Sequence, residues 1–201
     1  MMKNKFKLLL FSFLFNTSFF CSGQSWKPQE VSISYFGEMI THPGIKLSAN
    51  YQIKQWRQFK TQKKGASQEI FKSIQLSPSL AYYYHRRYHH GLQFVPELFY
   101  RRKKENGTYL DLGIGIGVLR TIIPEVYTIN EEGRVEKSKV GYSYFKTSLF
   151  AAFGKDFFHS QKKVFTGFIK PQFQYSIPGF PNGTGYFFLE AGLLFPLKSE
   201  L

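Results

Sequence analysis

Six charged side chains stand on the polar side of segments in which apolar and polar residues alternate. They are three lysines and three acids: Lys46, Lys146, Lys170, Glu97, Asp111 and Glu190. Strict alternation, as in residues 45–53 where every odd position is apolar, is typical of a two-faced β-strand. An unpaired charge on the enclosed face of such strands would be costly. We therefore expect these six residues to form ion pairs, with Lys170 beside Glu190, rather than a path for protons or ions.

Histidines are the next residues that could do chemistry. His85, His89 and His90 surround one turn together with Arg86 and Arg87. Imidazole is a common metal ligand. The turn is also strongly basic, and we interpret it as an exposed loop near lipid phosphates rather than as a metal site.

The dipeptide His159-Ser160 invites comparison with a hydrolase, in particular one that acts on outer-membrane lipid A. Such catalysis needs a third group that orients the histidine, and no candidate is evident. We predict no catalytic residue, no metal and no cofactor. The single Cys also excludes a disulfide framework and a cysteine-based zinc site.

The chain is strongly basic and rich in aromatic residues, with a formal net charge of +14 and 19% Phe, Trp and Tyr. The aromatic content excludes a disordered basic tail. Such a charge favours either nucleic acid or a lipid–water boundary. We predict no nucleic-acid partner, because no recognition helix is evident. Six cations in two connections are predicted to meet lipid phosphates: Arg86, Arg87, Arg101, Arg102, Lys103 and Lys104.

The N-terminal segment indicates secretion. Three lysines within residues 1–7 precede an apolar stretch over residues 8–20, and Cys21 and Gly23 supply small residues three positions and one position before Gln24. This arrangement is typical of a signal peptide. We expect residues 1–23 to be removed and residues 24–201 to fold as one domain. No later stretch is long and apolar enough to predict a transmembrane helix.

The rest of the sequence predicts an all-β domain of eight antiparallel strands. Alternating segments lie at about residues 30–38, 45–53, 74–82, 92–100, 109–120, 142–153, 165–176 and 186–197. Residues 121–139 predict a polar hairpin that extends beyond the apolar part of the strands. Pro78, Pro96 and Pro171 fall inside strands, where proline is unusual, but the alternation continues through each of them.

Two architectures produce this alternation. A soluble β-protein turns its apolar face inward, whereas a membrane barrel turns that face to lipid and encloses the polar one. Here the polar face carries Ser, Gln and charged residues, and the other face is continuously apolar. Strands of about 9–11 residues also suit a bilayer. We predict an up-and-down transmembrane β-barrel whose interior is filled by side chains.

The last strand carries a more specific pattern. Glu190, Gly192, Phe195 and Leu197 form a series of polar, glycine and two hydrophobic positions. This series resembles the terminal signal that the barrel-assembly machinery reads in outer-membrane proteins. Pro196 and the residues after Leu197 depart from that signal. In signal peptide, length and strand number the chain resembles the small bacterial eight-stranded barrels of the OmpA or OmpX type.

The resemblance implies a location in a Gram-negative outer membrane, with both chain ends on the periplasmic side. The expected partners are outer-membrane lipid, lipopolysaccharide and, during biogenesis, the assembly machinery, and the barrel is expected to be a monomer. The predicted role is non-enzymatic: envelope structure, or binding through the hairpin at residues 121–139. The alternatives are a narrow channel or transporter, a lipid-modifying enzyme, and a soluble secreted β-protein that binds a small ligand.

Overall fold

The computed structural model describes residues 27–38, 43–61, 67–85, 89–129, 133–159, 162–178 and 183–197. The regular elements among these residues are all β-strands: β1 (Glu30–Gly37), β2 (Gly44–Thr61), β3 (Ser67–Ser77), β4 (Ser79–His85), β5 (His89–Phe94), β6 (Glu97–Lys104), β7 (Thr108–Ile129), β8 (Val135–Val140), β9 (Ser143–His159), β10 (Lys162–Ile177) and β11 (Thr184–Pro196). The predicted signal peptide lies outside the described residues. Within those residues, no helix is long and apolar enough to cross a membrane.

The strand pairings are antiparallel and close into a ring. β1 pairs with β2 on one side and with β11 on the other, and the ring continues through β10, β9 and β7. β7 pairs with both β5 and β6, and β2 pairs with both β3 and β4. β3 pairs with β6 and β4 pairs with β5, which closes the ring. β3 and β4 together follow one strand path that is interrupted once, and so do β5 and β6, so the ring has eight strands. The prediction of an all-β chain with eight antiparallel strands is confirmed.

Both interruptions fall at prolines. Pro78 separates β3 from β4, and Pro96 lies between β5 and β6. Proline has no N–H to donate to the ladder, but both carbonyls still accept. The Ala49 N–H donates to Pro78 O at 3.2 Å, and the Ile116 N–H donates to Pro96 O at 3.1 Å. The neighbouring strands therefore hold the two halves in line, whereas Pro171 stays within β10.

The second strand is longer than predicted. β2 does not end near residue 53 but continues to Thr61 and pairs with β3 as a hairpin beyond the ring. The register shifts between Gln52 and Lys54. Such a bulge bends a strand and re-aims its side chains, so the alternation read up to Ile53 does not continue in phase.

The predicted hairpin at residues 121–139 is present at the opposite end of the ring. β7 continues to Ile129 and pairs with β8, from Ile129 opposite Val135 towards Ile123 opposite Val140. The expectation that this hairpin is polar is wrong in part. Tyr127, Ile129 and Val135 are all exposed on it.

The ring is polar inside and apolar outside. Lys46, Gln172 and Glu190 are buried among the interior side chains. On β7, Leu112 and Ile114 face outward, and about half of each side chain is exposed. The strand alternation therefore places the charged face inside, as the sequence predicts.

Glycines on the inward face of the strands make room for aromatic side chains. Gly113 faces Phe99 and Phe150, whose rings pack edge to face with centroids 6.1 Å apart. A Cβ at Gly113 would lie 2.4 Å from Phe99 Cβ and 2.6 Å from Phe150 Cζ. Gly113→Ala is therefore expected to lower the free energy of unfolding by about 1–3 kcal/mol, because the side chains of Phe99 and Phe150 must move. Urea titration of the refolded protein measures this loss.

Gly167→Ala is the matched control for this substitution. A Cβ at Gly167 would meet only the Phe157 ring, at 3.3 Å. A loss at Gly113 no larger than the loss at Gly167 would contradict the close packing around Gly113.

Candidate functional site

Four buried charges meet at the centre of the ring. Lys46 Nζ donates to Glu97 Oε1 at 2.6 Å and to Glu190 Oε2 at 3.0 Å. Lys170 Nζ donates to Glu97 Oε2 at 2.6 Å and lies 3.1 Å from Glu190 Oε2. Each lysine thus contacts both carboxylates. We call these four residues the central charge cluster, and its formal charge is zero.

The strand register explains why the central charge cluster forms. Lys170 on β10 lies directly opposite Glu190 on β11. Lys46 on β2 lies opposite Ser34 on β1, and the Ser34 hydroxyl donates to Glu190 Oε1 at 2.8 Å. Glu97 on β6 lies opposite Gly115. Small residues therefore stand beside the long ones, and four charges from four strands reach one another.

A line of amides continues from the central charge cluster toward the end of the ring that carries the β4–β5 turn. Gln172 Nε2 donates to Glu190 Oε2 at 3.2 Å, and Gln174 Nε2 donates to Gln172 Oε1 at 3.0 Å. Lys146 Nζ then donates to Gln174 Oε1 at 2.6 Å. Lys146 is 1% exposed, and no ion pair joins it to a described carboxylate. This line connects Lys146 to the central charge cluster, and Lys146 Nζ also donates to Gln93 Oε1 at 3.4 Å.

Aromatic side chains close the interior beyond Lys146. Phe36 and Phe188 stack with ring centroids 4.7 Å apart, and Tyr83 packs edge-on against Phe188. Lys146 Nζ lies 5.0 Å from the centroid of Phe188. This aromatic group was not predicted from the sequence, although Phe36 and Phe188 occupy positions in the same phase as the inward polar residues of their strands.

A second charged group lies on the other side of the central charge cluster. Arg101 Nε and Nη2 each donate to a different oxygen of Asp111 at 2.9 Å, and Arg101 Nη1 donates to Glu30 Oε2 at 2.9 Å. The guanidinium also lies 4.2 Å from the centroid of Tyr109. Asp111 therefore pairs with an arginine rather than with one of the three predicted lysines.

Two predicted phosphate contacts need correction. Arg101 cannot meet lipid phosphates, because odd positions of β6 face inward and its side chain is buried. Lys103 also faces inward and forms an ion pair with Asp156, which accepts a hydrogen bond from Thr166. Arg102 and Lys104 are exposed on the outside. Arg86 and Arg87 lie outside the described residues.

The interior leaves little free space around these charges. A cavity of about 30 Å³ lies between the central charge cluster and Arg101, and its lining includes Asn50, Ser77 and Tyr109. This volume suits one or two water molecules held by polar partners.

The side chains of His89 and His90, at the start of β5, lie on opposite faces of the sheet. His90 Nδ1 is 2.5 Å from the hydroxyl of Tyr82, which faces outward, and His89 Nε2 is 3.5 Å from the hydroxyl of Tyr83, which faces inward. Among the described residues, no group of three His, Cys, Asp or Glu could hold a metal ion. The side chains of His85 and His159 and the whole of Ser160 are not among the described parts of the chain, so the hydrolase alternative gains no support here.

The residues of the terminal-strand pattern occupy different environments. Glu190 belongs to the central charge cluster, and Gly192 lies opposite Ser34, where a Cβ would come within 2.4 Å of Ser34 Cβ. Phe195 and Leu197 are exposed. Recognition of this pattern by assembly machinery stays a prediction.

Comparisons with protein-family models, with curated proteins and with solved structures find no match for this chain. Its function must therefore be argued from its own fold and residues.

The central charge cluster makes a specific prediction about stability. Glu190→Gln leaves two buried lysines with one carboxylate, so it should lower the free energy of unfolding by about 3–5 kcal/mol. The control is Glu69→Gln, which removes the Glu69 carboxylate 3.5 Å from the exposed guanidinium of Arg57. Exposed pairs contribute at most about 1 kcal/mol. Urea titration of both variants measures the difference, and equal losses would show that the central charge cluster does not hold the ring together.

Proposed function

We propose that this chain is an outer-membrane β-barrel with a filled interior and a non-enzymatic role in the cell envelope. The observation that carries the proposal is the inverted distribution of side chains. Charged residues are buried inside a closed ring, and the ring turns its apolar residues outward. This arrangement is favourable in lipid, because the outward apolar residues contact hydrocarbon and the polar residues are enclosed.

The outward surface is a continuous apolar belt rather than a set of isolated residues. Ile114 on β7 lies opposite Leu98 on one side and Leu149 on the other, and all three are exposed. Soluble monomers rarely expose connected apolar patches of more than a few hundred Å². We call this surface the apolar belt, and its extent around the ring favours lipid over water.

Closure of the ring supports the same conclusion. In hydrocarbon each unpaired backbone N–H or C=O costs several kcal/mol, so a sheet with free edges is excluded from a bilayer. In this ring β1 pairs on both sides, with β2 and with β11. The first and last strands therefore leave no open edge between them.

The filled interior favours an envelope or binding role over transport. The central charge cluster and the amide line occupy the middle of the ring, and aromatic rings close one end. The β7–β8 hairpin instead presents Tyr127, Ile129 and Val135 beyond the ring. This hairpin is the part of the described chain best placed to contact a partner.

An outward arginine separates a lipid-facing surface from a water-facing one. Ile114 lies in the middle of the apolar belt and is 50% exposed, whereas Val135 lies on the extended hairpin and is 66% exposed. An arginine at the bilayer midplane costs about 2–4 kcal/mol in a membrane barrel. Ile114→Arg should therefore reduce folding into lipid vesicles strongly, while Val135→Arg should leave it unchanged. The heat-modifiable fraction on unboiled SDS gels measures folding.

The location is tested on the wild-type chain by cell fractionation. We expect recovery from the outer-membrane fraction with heat-modifiable migration. Recovery from the soluble periplasmic fraction, together with equal tolerance of both arginine variants, would overturn the proposal.

A further inference from the structure

Toward the end of the ring that carries the β6–β7 turn, the outward face of β2, β3 and β6 changes from apolar to cationic. Residues directly opposite in an antiparallel pair share a face. The pairs between β3 and β6 run from Leu76 opposite Leu98, through Ile74 opposite Tyr100, to Lys72 opposite Arg102. Lys104 follows two residues after Arg102, on the same side of β6.

β2 adds two outward residues to this surface. Trp56 lies opposite Lys72, and Lys54 lies opposite Ile74. The surface is defined by six residues and is called the basic rim below: Lys54, Trp56, Lys72, Tyr100, Arg102 and Lys104. It lies at the end of the ring that carries the β6–β7 turn and the two ends of the described chain.

The basic rim places like charges together without internal compensation. Lys72 and Arg102 are directly opposite each other, an arrangement that destabilises an antiparallel pair. Within the described residues, no ion pair joins any of the four rim cations to a carboxylate. Of the nearby acids, Glu69 pairs with Arg57 on the other face of the hairpin and Asp156 pairs with Lys103 inside the ring. Glu105, next to Lys104 in the β6–β7 turn, is exposed and forms no ion pair within the described residues. An anion from outside the chain would relieve this repulsion.

The aromatic residues of the basic rim indicate where that anion lies. Trp56 and Tyr100 have ring centroids 6.1 Å apart, and Trp56 is 36% exposed. Trp and Tyr prefer the boundary between hydrocarbon and headgroups. At the opposite end of the ring the outward Arg120 already donates to the Ser143 hydroxyl at 2.9 Å. The Trp56–Tyr100 contact therefore lies beside the four rim cations at this boundary of the apolar belt.

We propose that the basic rim binds the phosphate of an anionic phospholipid, with Lys72 and Arg102 as its main contacts and Lys54 and Lys104 beside them. Arginine can offer a phosphate two parallel N–H donors, and lysine adds a point charge. The acyl chains would then lie along the apolar belt next to Tyr100. This inference rests on the membrane insertion proposed above and adds a lipid class and a site to it.

Trp56 supplies a local probe for the experiment. The chain has two tryptophans, Trp26 and Trp56, so Trp26→Phe leaves Trp56 as the only one. This protein is folded into vesicles that contain phosphatidylcholine and phosphatidylglycerol in fixed proportion. Bromine is placed on the acyl chains of one lipid or of the other, and quenching of Trp56 reports which lipid lies beside it.

We expect brominated phosphatidylglycerol to quench Trp56 more than its share of the bilayer explains, with a relative affinity of about fivefold over phosphatidylcholine. Replacing both main contacts, Lys72→Gln with Arg102→Gln, should reduce the ratio to about one. Arg120→Gln is the matched control and should leave the ratio unchanged. Quenching by each lipid in proportion to its share of the bilayer, with the wild-type rim, would overturn the inference.

Two further outcomes separate this inference from its rivals. Failure of brominated phosphatidylcholine to quench Trp56 in any variant would show that the chain is not inserted. That result would contradict both the proposed function and the lipid site. Loss of the preference in inorganic phosphate, but not in chloride of equal ionic strength, would assign the basic rim to a free anion and contradict the lipid. Displacement by polyglutamate at that ionic strength would assign it to an acidic protein and would also contradict it.

Discussion

The rest of the structure depends on the pairing of two lysines with two glutamates inside the ring. Lys46, Glu97, Lys170 and Glu190 come from β2, β6, β10 and β11, and each lysine contacts both carboxylates. Charges removed from water are tolerated only when they are paired and hydrogen-bonded. These four residues can all be paired only if the ring closes with its strands in register, so the central charge cluster and the closed ring require each other.

The same constraint determines the outer surface. Because side chains alternate along a strand, a shift of one residue in any pairing would exchange the buried charges with apolar residues of the belt. Burying Lys170 opposite Glu190 therefore commits Ile169 and Leu189 to the other face. The apolar belt and the charged interior are two consequences of one register.

Most of the features that the sequence predicted follow from the alternation of apolar and polar residues. It predicted eight strands and placed Lys46, Glu97, Lys170 and Glu190 on one face, because period two is a local property. The inward position of Arg101 could also have been predicted, because Glu97, Phe99 and Arg101 are in phase. The basic run at residues 101–104 instead suggested a loop. The bulge at Ile53 and the packing of Phe36 on Phe188 depend on neighbouring strands, so local patterns did not indicate them.

One measurement tests the central claim, that a closed ring encloses its polar face and turns its apolar face to lipid. The chain has a single Cys, Cys21, so Cys21→Ser permits single spin labels at successive positions from Thr147 to Ala152 on β9. In lipid vesicles, labels at residues 147, 149 and 151 should collide with dissolved oxygen, whereas labels at residues 148, 150 and 152 should be immobile and protected. Collision with a water-soluble nickel complex at residues 147, 149 and 151, or alternation in the opposite phase, would contradict the claim.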